Sequence, residues 1–437
     1  MSTGRAEGGY GRGAAVLSVG IAATGLTTYA YFSLASHSLS EAGYGGITLL
    51  WSAVFITVSV LYRPVEQLLS RTIAERDAHG TSGREHLRVA ASIQLALGAV
   101  FAVAALALRR PLQDGLFGGS ETLYWVLVVS VLAYAASYFA RGFLAGSRRF
   151  GLYGGLVLME AGSRLMFALA VAVGIASGQS VVALGIAAAP LLSLAVVPWA
   201  LSRPRQASDA PPAASDGEAA FTLSHGTGFA AAVLAIMLAE QTFLNAGPLL
   251  VKATEGGAEG AALAGFTFNV LLIARAPLQL FQAVQTSILP HLTRLGARGE
   301  TDPFRRSVNV TLAAIAGFAA LVAVVMLAVG PSVMDLVFGG KFDYERGGLV
   351  LISVGMGLYL AAATLNQALL AHGQAREACG AWLAAAAGFV VFLLLPGFDD
   401  RVLQVETGYV GGALVLCVLL YGLYRRSQAA PMANERN

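Results

Sequence analysis

Charge is what this sequence has least of. Asp, Glu, Lys and Arg make up 12% of its 437 residues, against roughly 25% in a soluble globular domain. So little charge cannot coat a water-soluble fold of this size. Disorder is excluded for the opposite reason, because 56% of the residues are hydrophobic and the mean hydropathy is +0.68. Cysteine is nearly missing. Cys379 and Cys417 lie in apolar runs, have no metal-type spacing and read as packing residues. Lysine is as scarce, at Lys252 and Lys341, and a net charge of +3 leaves no polybasic footprint, so no nucleic-acid partner is expected. No phosphate-binding glycine loop is present, so the chain does not hydrolyse ATP by itself. The histidines are scattered without ligand spacing, and no nucleophile, base and acid share a face. The expectation is a protein that is not an enzyme and takes no cofactor or metal.

Long apolar runs fill the space left by charge. A bilayer span takes about 20 apolar residues. Twelve runs qualify, at about 14–36, 47–70, 88–108, 122–145, 151–175, 181–201, 226–250, 262–289, 306–329, 347–371, 377–396 and 405–424. None alternates with the period of a barrel strand. The first run exceeds the apolar stretch of a signal peptide and is read as retained.

Arginine placement orients the spans. One alternating set of connections collects Arg71, Arg76, Arg84 and Arg88, then Arg141, Arg148 and Arg149, then Arg203 and Arg205, then Arg294 to Arg306, and Arg376, together with both termini. The opposite set holds only Arg109, Arg110, Lys252, Lys341, Arg346 and Arg401. Both termini are therefore expected in the cytoplasm. The Pro-, Ala-, Ser- and Asp-rich stretch RPRQASDAPPAASDGEAAF (203–221) reads as a linker. The plan is a cytoplasmic tail (1–13), a six-helix lobe (14–201), a linker (202–225), a second six-helix lobe (226–424) and a cytoplasmic tail (425–437). The expectation is an all-α integral membrane protein with about twelve transmembrane helices in two six-helix lobes.

Equal halves suggest duplication. LAGSRR (144–149) and LAHGQAR (370–376) both place Gly-x-x-Arg at a cytoplasmic helix exit, Gly146 to Arg149 and Gly373 to Arg376. YRPVEQ (62–67) and ARAPLQ (274–279) both set Arg beside Pro inside an apolar helix.

Ionisable residues far from the interfaces carry the functional signal: Arg63 and Glu66, Glu160 and Arg164, Glu240, and Arg275. A charge at the bilayer centre costs at least about 2.5–3.5 kcal/mol, so such groups face the protein interior or a watery cavity. Glu160 and Arg164 are i,i+4, Arg63 and Glu66 are i,i+3, and both pairs can neutralise themselves locally. Glu240 and Arg275 have no counterion on their own helices. They either bridge each other structurally, or Arg275 meets a phosphate while Glu240 couples ions or protons; the two can hold in alternating states. Arg63 is near enough to the cytoplasmic end to snorkel. Arg suits pyrophosphate because its planar fork binds oxygens in pairs. Pro64, Pro190, Pro248, Pro277 and Pro290 interrupt spans. Gln94, Gln241, Asn245, Asn269, Gln282, Gln285, Asn366 and Gln367 line a polar path or bond between helices.

Four segments resemble a known family. AGFTFNVLLIARAPLQLFQAVQTSILPHLTRL (264–295), RGFLAGSRRFGLYGGLVLMEAGSRLMFALA (141–170), LASHSLSEAGYGGITLLWSAVFI (34–56) and LAEQTFLNAGPLL (238–250) are similar to the polysaccharide-biosynthesis (O-antigen-type) flippases. These belong to the multidrug/oligosaccharidyl-lipid/polysaccharide (MOP) exporter superfamily. The resemblance runs over about 14–424 and implies two lobes that rock around a cavity in a bacterial plasma membrane. It implies a polyprenyl-pyrophosphate-linked glycan as cargo, with Arg275, Arg164 and Arg63 as substrate-binding residues and Glu240, Glu160 and Glu66 as coupling or charge-pair residues. Membrane lipids, a coupling proton or sodium ion, and glycosyltransferases or a polymerase of the same pathway are the implied partners. Twelve spans fit the peptidoglycan-precursor flippases less well. The alternatives are a small-molecule exporter of the same superfamily, a major-facilitator transporter, and a membrane scaffold. The loop SRTIAERDAHGTSGREH (70–86) lacks the order of the major-facilitator motif, and buried charges count against a scaffold.

Overall fold

The computed structural model describes residues 3–78, 85–198, 223–273, 275 and 301–429. Among them there is no strand. The first unit, Met1–Phe221, contains α1 (Thr3–Ser38), α2 (Glu41–Leu61), α3 (Arg63–Ala78), α4 (Glu85–Ala107), α5 (Glu121–Gly146), α6 (Phe150–Ala172) and α7 (Gln179–Ser193). The second, Thr222–Asn437, contains α8 (Leu223–Glu255), α9 (Gly257–Ile273), α10 (Thr301–Phe338), α11 (Arg346–Ala371), α12 (Ala375–Leu394) and α13 (Arg401–Ala429). The division falls inside 202–225, the stretch read as a linker.

Ten of the helical segments are long and apolar enough to cross a membrane, with α2 and α3 counted as one segment. Helices α1 and α9 stand at the two other expected positions. This is a multi-pass, all-helical membrane protein. Its exposed faces fit that reading. Only 11% of the apolar window of α10 is buried, and Leu321, Val324, Leu327 and Leu336 stand open on it. An apolar face of that length would not be stable in water but matches hydrocarbon.

Local sequence sets the boundaries. Ser40 and Ser120 cap α2 and α5 by accepting from the amides of Gly43 (3.2 Å) and Leu123 (3.3 Å). Asp400 does the same for α13, accepting from Val402 (2.8 Å) and Leu403 (3.0 Å). Pro64 has no amide hydrogen, and the second span breaks beside it, between Leu61 and Arg63. Pro190 and Pro248 lie within α7 and α8. Pro277, Pro290, Gln282, Gln285 and all of the ARAPLQ motif except Arg275 lie outside the described residues.

The two units share one packing scheme. In the first, α1 packs on α6, α4 on α5, and α7 on both α5 and α6. In the second, α8 packs on α12, α10 on α11, and α13 on both α11 and α12. Helices α5 and α11 are each 26 residues long. Each ends in the same three-residue turn, closed by Arg149 N–H to Leu144 O (2.8 Å) and by Gln374 N–H to Leu369 O (3.0 Å). This register corrects the Gly-x-x-Arg alignment. Gly373 (φ 75°) corresponds to Arg148 (φ 54°), not to Gly146. Both occupy the left-handed position that ends the helix, and only the second unit fills it with glycine.

Candidate functional site

Helix α5 presents Tyr134, Ser137, Tyr138 and Arg141 at i, i+3, i+4 and i+7, one stripe of a helix. The stripe meets Glu160 and Arg164 of α6, and Glu160 in turn meets Ser193 of α7. Close approach of α3 supplies the rest. A Cβ on Gly142 would fall 2.8 Å from the Glu66 carbonyl oxygen, and one on Gly146 would fall 2.7 Å from that of Ser70. Two small residues four apart thus bring α3 against α5.

The pairing differs from the expectation of a Glu160–Arg164 pair. Glu160, 2% exposed, accepts from the Arg141 guanidinium and the Ser137 hydroxyl, with Ser193 Oγ at 3.4 Å. Arg141 is not a loop residue on the cytoplasmic side. It lies within α5, over the Tyr138 ring at 4.6 Å. Glu66 accepts from the Tyr153 hydroxyl at 2.9 Å and feels the charges of both Arg141 and Arg63. Arg63 and Arg141 thus balance Glu66 and Glu160, and Arg164 is in excess.

Arg164 is 3% exposed and makes no ion pair among the described residues. It donates Nη1 to the Tyr134 hydroxyl (2.8 Å), and its guanidinium lies 5.1 Å from the Trp51 ring and 5.9 Å from Phe55. Its Nε is buried without a hydrogen-bond partner. Aromatic faces attract a cation but do not cancel its charge. The Arg164 guanidinium thus keeps hydrogen-bonding capacity that the described residues do not use.

The second unit lacks such a network at the corresponding place. The turn register sets Tyr134 against Tyr359, Arg141 against Asn366, Glu160 against Ala385 and Arg164 against Phe389. There Asn366 accepts from Trp382 Nε1 (3.1 Å), and Phe389 stacks on Phe243 (5.2 Å). The same helical frame therefore packs without charges.

Glu240 and Arg275 do not bridge each other. Arg275 donates to the Leu244 carbonyl and to Asn245 Oδ1 (3.0 Å), over the Phe268 ring at 4.5 Å. Asn245 in turn donates to Gln241 Oε1 (2.9 Å). Glu240 is half-buried and makes no hydrogen bond or ion pair among the described residues. Two of the other polar candidates bond across elements, Gln94 to the Ala135 carbonyl of α5 (2.6 Å) and Asn269 to the hydroxyl of Tyr344, just ahead of α11 (3.0 Å). Among the described residues no three His, Cys, Asp or Glu side chains cluster to hold a metal.

No family model and no curated protein matches the chain. Solved structures do. The Vibrio cholerae MATE transporter VcmN is 16% identical at TM-score 0.61, with 97% of this chain and 98% of that one covered. The eukaryotic MATE transporter AtDTX14 is 15% identical at TM-score 0.62, with 98% of each chain covered. The fold is that of the MOP-superfamily transporters. A MOP-superfamily transporter from Pyrococcus furiosus, described by the reverse polarity of its binding pocket, is 13% identical at TM-score 0.62, with 96% of each chain covered. The narrower likeness to polysaccharide flippases has no support in these MOP neighbours. Sequence reading missed Arg141 because it precedes two more arginines at a helix exit. The signal available was its place inside an apolar run that continues to Gly146.

Proposed function

We propose that this chain is a secondary transporter that exports a small organic molecule carrying an anionic group, by exposing one site alternately to the two membrane faces. The observation that carries this reading is the match to MATE and MOP transporters over nearly the whole of both chains. Arg164 receives the anion on its unpartnered edge. Arg63 and Arg141, with Glu66 and Glu160, keep the surrounding α3–α5–α6 seam neutral, so that the site carries one net positive charge. Glu240 and Arg275 are the candidates of the second unit, at places of their own, Glu240 for ion coupling. The reading places the chain in a bacterial plasma membrane, and the arginine bias argues for both termini in the cytoplasm.

The test is accumulation of a panel of anionic and cationic dyes and drugs in cells stripped of their own exporters. Expression of the wild type lowers accumulation of anionic members, and Arg164→Ala abolishes the difference. Unchanged accumulation of every anionic compound removes the small-molecule reading. The excess charge of Arg164 also favours a second cargo, a polyprenyl-pyrophosphate-linked glycan, with membrane lipids and pathway glycosyltransferases or polymerase as its company. That reading predicts translocation of a lipid pyrophosphate in liposomes and no change in dye accumulation.

A further inference from the structure

The C-terminal half of α3 and the first turns of α4 line a cavity of about 440 Å³, within the roughly 300–1,000 Å³ of ligand pockets. Its floor is apolar and buried. Leu69 and Ala90, 1% and 3% exposed, belong to the core that joins the two helices. Its rim is apolar and open, with Leu68 50% exposed and Val89 57%. Both rim residues lie in segments apolar enough to span a membrane, so the rim meets hydrocarbon.

Polarity changes along the cavity in the same direction on both helices. On α3, Leu68 is followed one turn later by Thr72 and another turn later by Arg76. On α4, Val89 is preceded one turn earlier by Glu85 and His86. The cavity is therefore apolar toward the bilayer and polar toward the connection between the helices, which is the order of groups in a phospholipid. The polar end carries charge of both signs. Arg76, the Thr72 hydroxyl and a ring N–H of His86 can donate to a phosphate. The start of α4 adds partial positive charge. Glu85 is the acid of the lining, and it makes no hydrogen bond or ion pair among the described residues. An anionic headgroup would set its phosphate beside this carboxylate and bring no cation to it. A quaternary ammonium has no N–H to offer it. A primary ammonium next to the phosphate answers both.

We infer that this cavity binds a phospholipid with an ethanolamine headgroup. The phosphate lies on Arg76, Thr72 and His86, the ammonium lies on Glu85, and the acyl chains leave over Leu68 and Val89 into the bilayer. The arginine bias puts the site in the inner leaflet. The inference rests on the membrane fold and not on the transport reading.

The experiment is native mass spectrometry of the delipidated full-length protein, given dioleoyl phosphatidylethanolamine, phosphatidylcholine and phosphatidylglycerol in equal amounts. The ethanolamine lipid should be retained about tenfold over either competitor, the worth of one charge-assisted hydrogen bond. Glu85→Gln should remove that preference while lipid is still held. Arg76→Ala should lower retention of all three, and Val89→Trp, on the exposed rim, should fill the cavity and displace the lipid. Melting in lipid-free detergent checks the fold of each variant, and where one melts well below the wild type the wild-type competition decides. Free phosphoethanolamine should not displace the lipid, because it lacks the chains that meet Leu68 and Val89. Displacement at equal concentration would make this a site for a soluble phosphate ester and overturn the inference. Equal retention of the three lipids, the pattern of a nonspecific lipid shell, overturns it as well. So does preference for phosphatidylglycerol, which would follow from the exposed Arg71 and Arg88 of the same helices and not from the lining.

Discussion

At the scale of single residues, the Arg141–Glu160 pair and Arg164 have opposite consequences for stability. Glu160→Gln or Arg141→Leu leaves one buried charge without its partner, which costs about 3–5 kcal/mol. The second unit shows what the same frame accepts instead. The double variant Arg141→Asn, Glu160→Ala installs the residues found at Asn366 and Ala385, and it should melt within a few degrees of the wild type in detergent while each single variant melts well below it. Arg164→Phe, the counterpart of Phe389, should leave melting unchanged and abolish transport, since an excess cation is not needed for packing. A large loss of stability in Arg164→Phe would mark the guanidinium as structural. The sequence revealed the ionisable residues but not their partners. An i,i+4 spacing lets Glu160 reach Arg164, yet says nothing about Ser137 and Arg141 arriving from the facing helix.

At the scale of elements, the helices were legible because hydropathy and length are local properties, and every expected run is matched by a helix where residues are described. The register of the internal repeat was not legible. Aligning glycine with glycine paired Gly146 with Gly373, whereas the hydrogen-bonded turns pair Arg148 with Gly373. A non-glycine residue in the left-handed region is strained by about 1–2 kcal/mol. Arg148→Gly should therefore stabilise the protein by about 0.5–1 kcal/mol, because part of the relief is lost to the freer unfolded chain. A small rise in melting temperature checks it, and a fall would mean that the Arg148 side chain holds the turn. Helix approach has the reverse demand. Gly142 faces the backbone of α3 at a distance no side chain allows. Gly142→Ala should push α3 from α5, cost about 1–3 kcal/mol and lower transport by moving Arg141 away from Glu66. The internal echo of Arg beside Pro stays a reading of the sequence, because all of its second copy but Arg275 lies outside the described residues.

At the scale of the whole molecule, the distribution of arginine makes a prediction about sidedness that is independent of substrate. The turn after α5 carries Arg148 and Arg149, and the turn after α11 leads to Arg376. The loop between α12 and α13, by contrast, carries Asp399 and Asp400 ahead of a single Arg401. Moving arginine across the membrane against its potential is unfavourable, so the arginine-rich turns stay in the cytoplasm and the acidic loop is exported. In a background with Cys379 and Cys417 replaced by serine, a cysteine at the exposed Asp399 should react with a membrane-impermeant maleimide on intact cells. A cysteine at Arg148 should react only after the membrane is opened. The reverse pattern would invert the orientation and turn the proposed export into uptake. Equal labelling of both positions on intact cells would contradict an odd number of spans between Arg148 and Asp399, and with it the count of twelve.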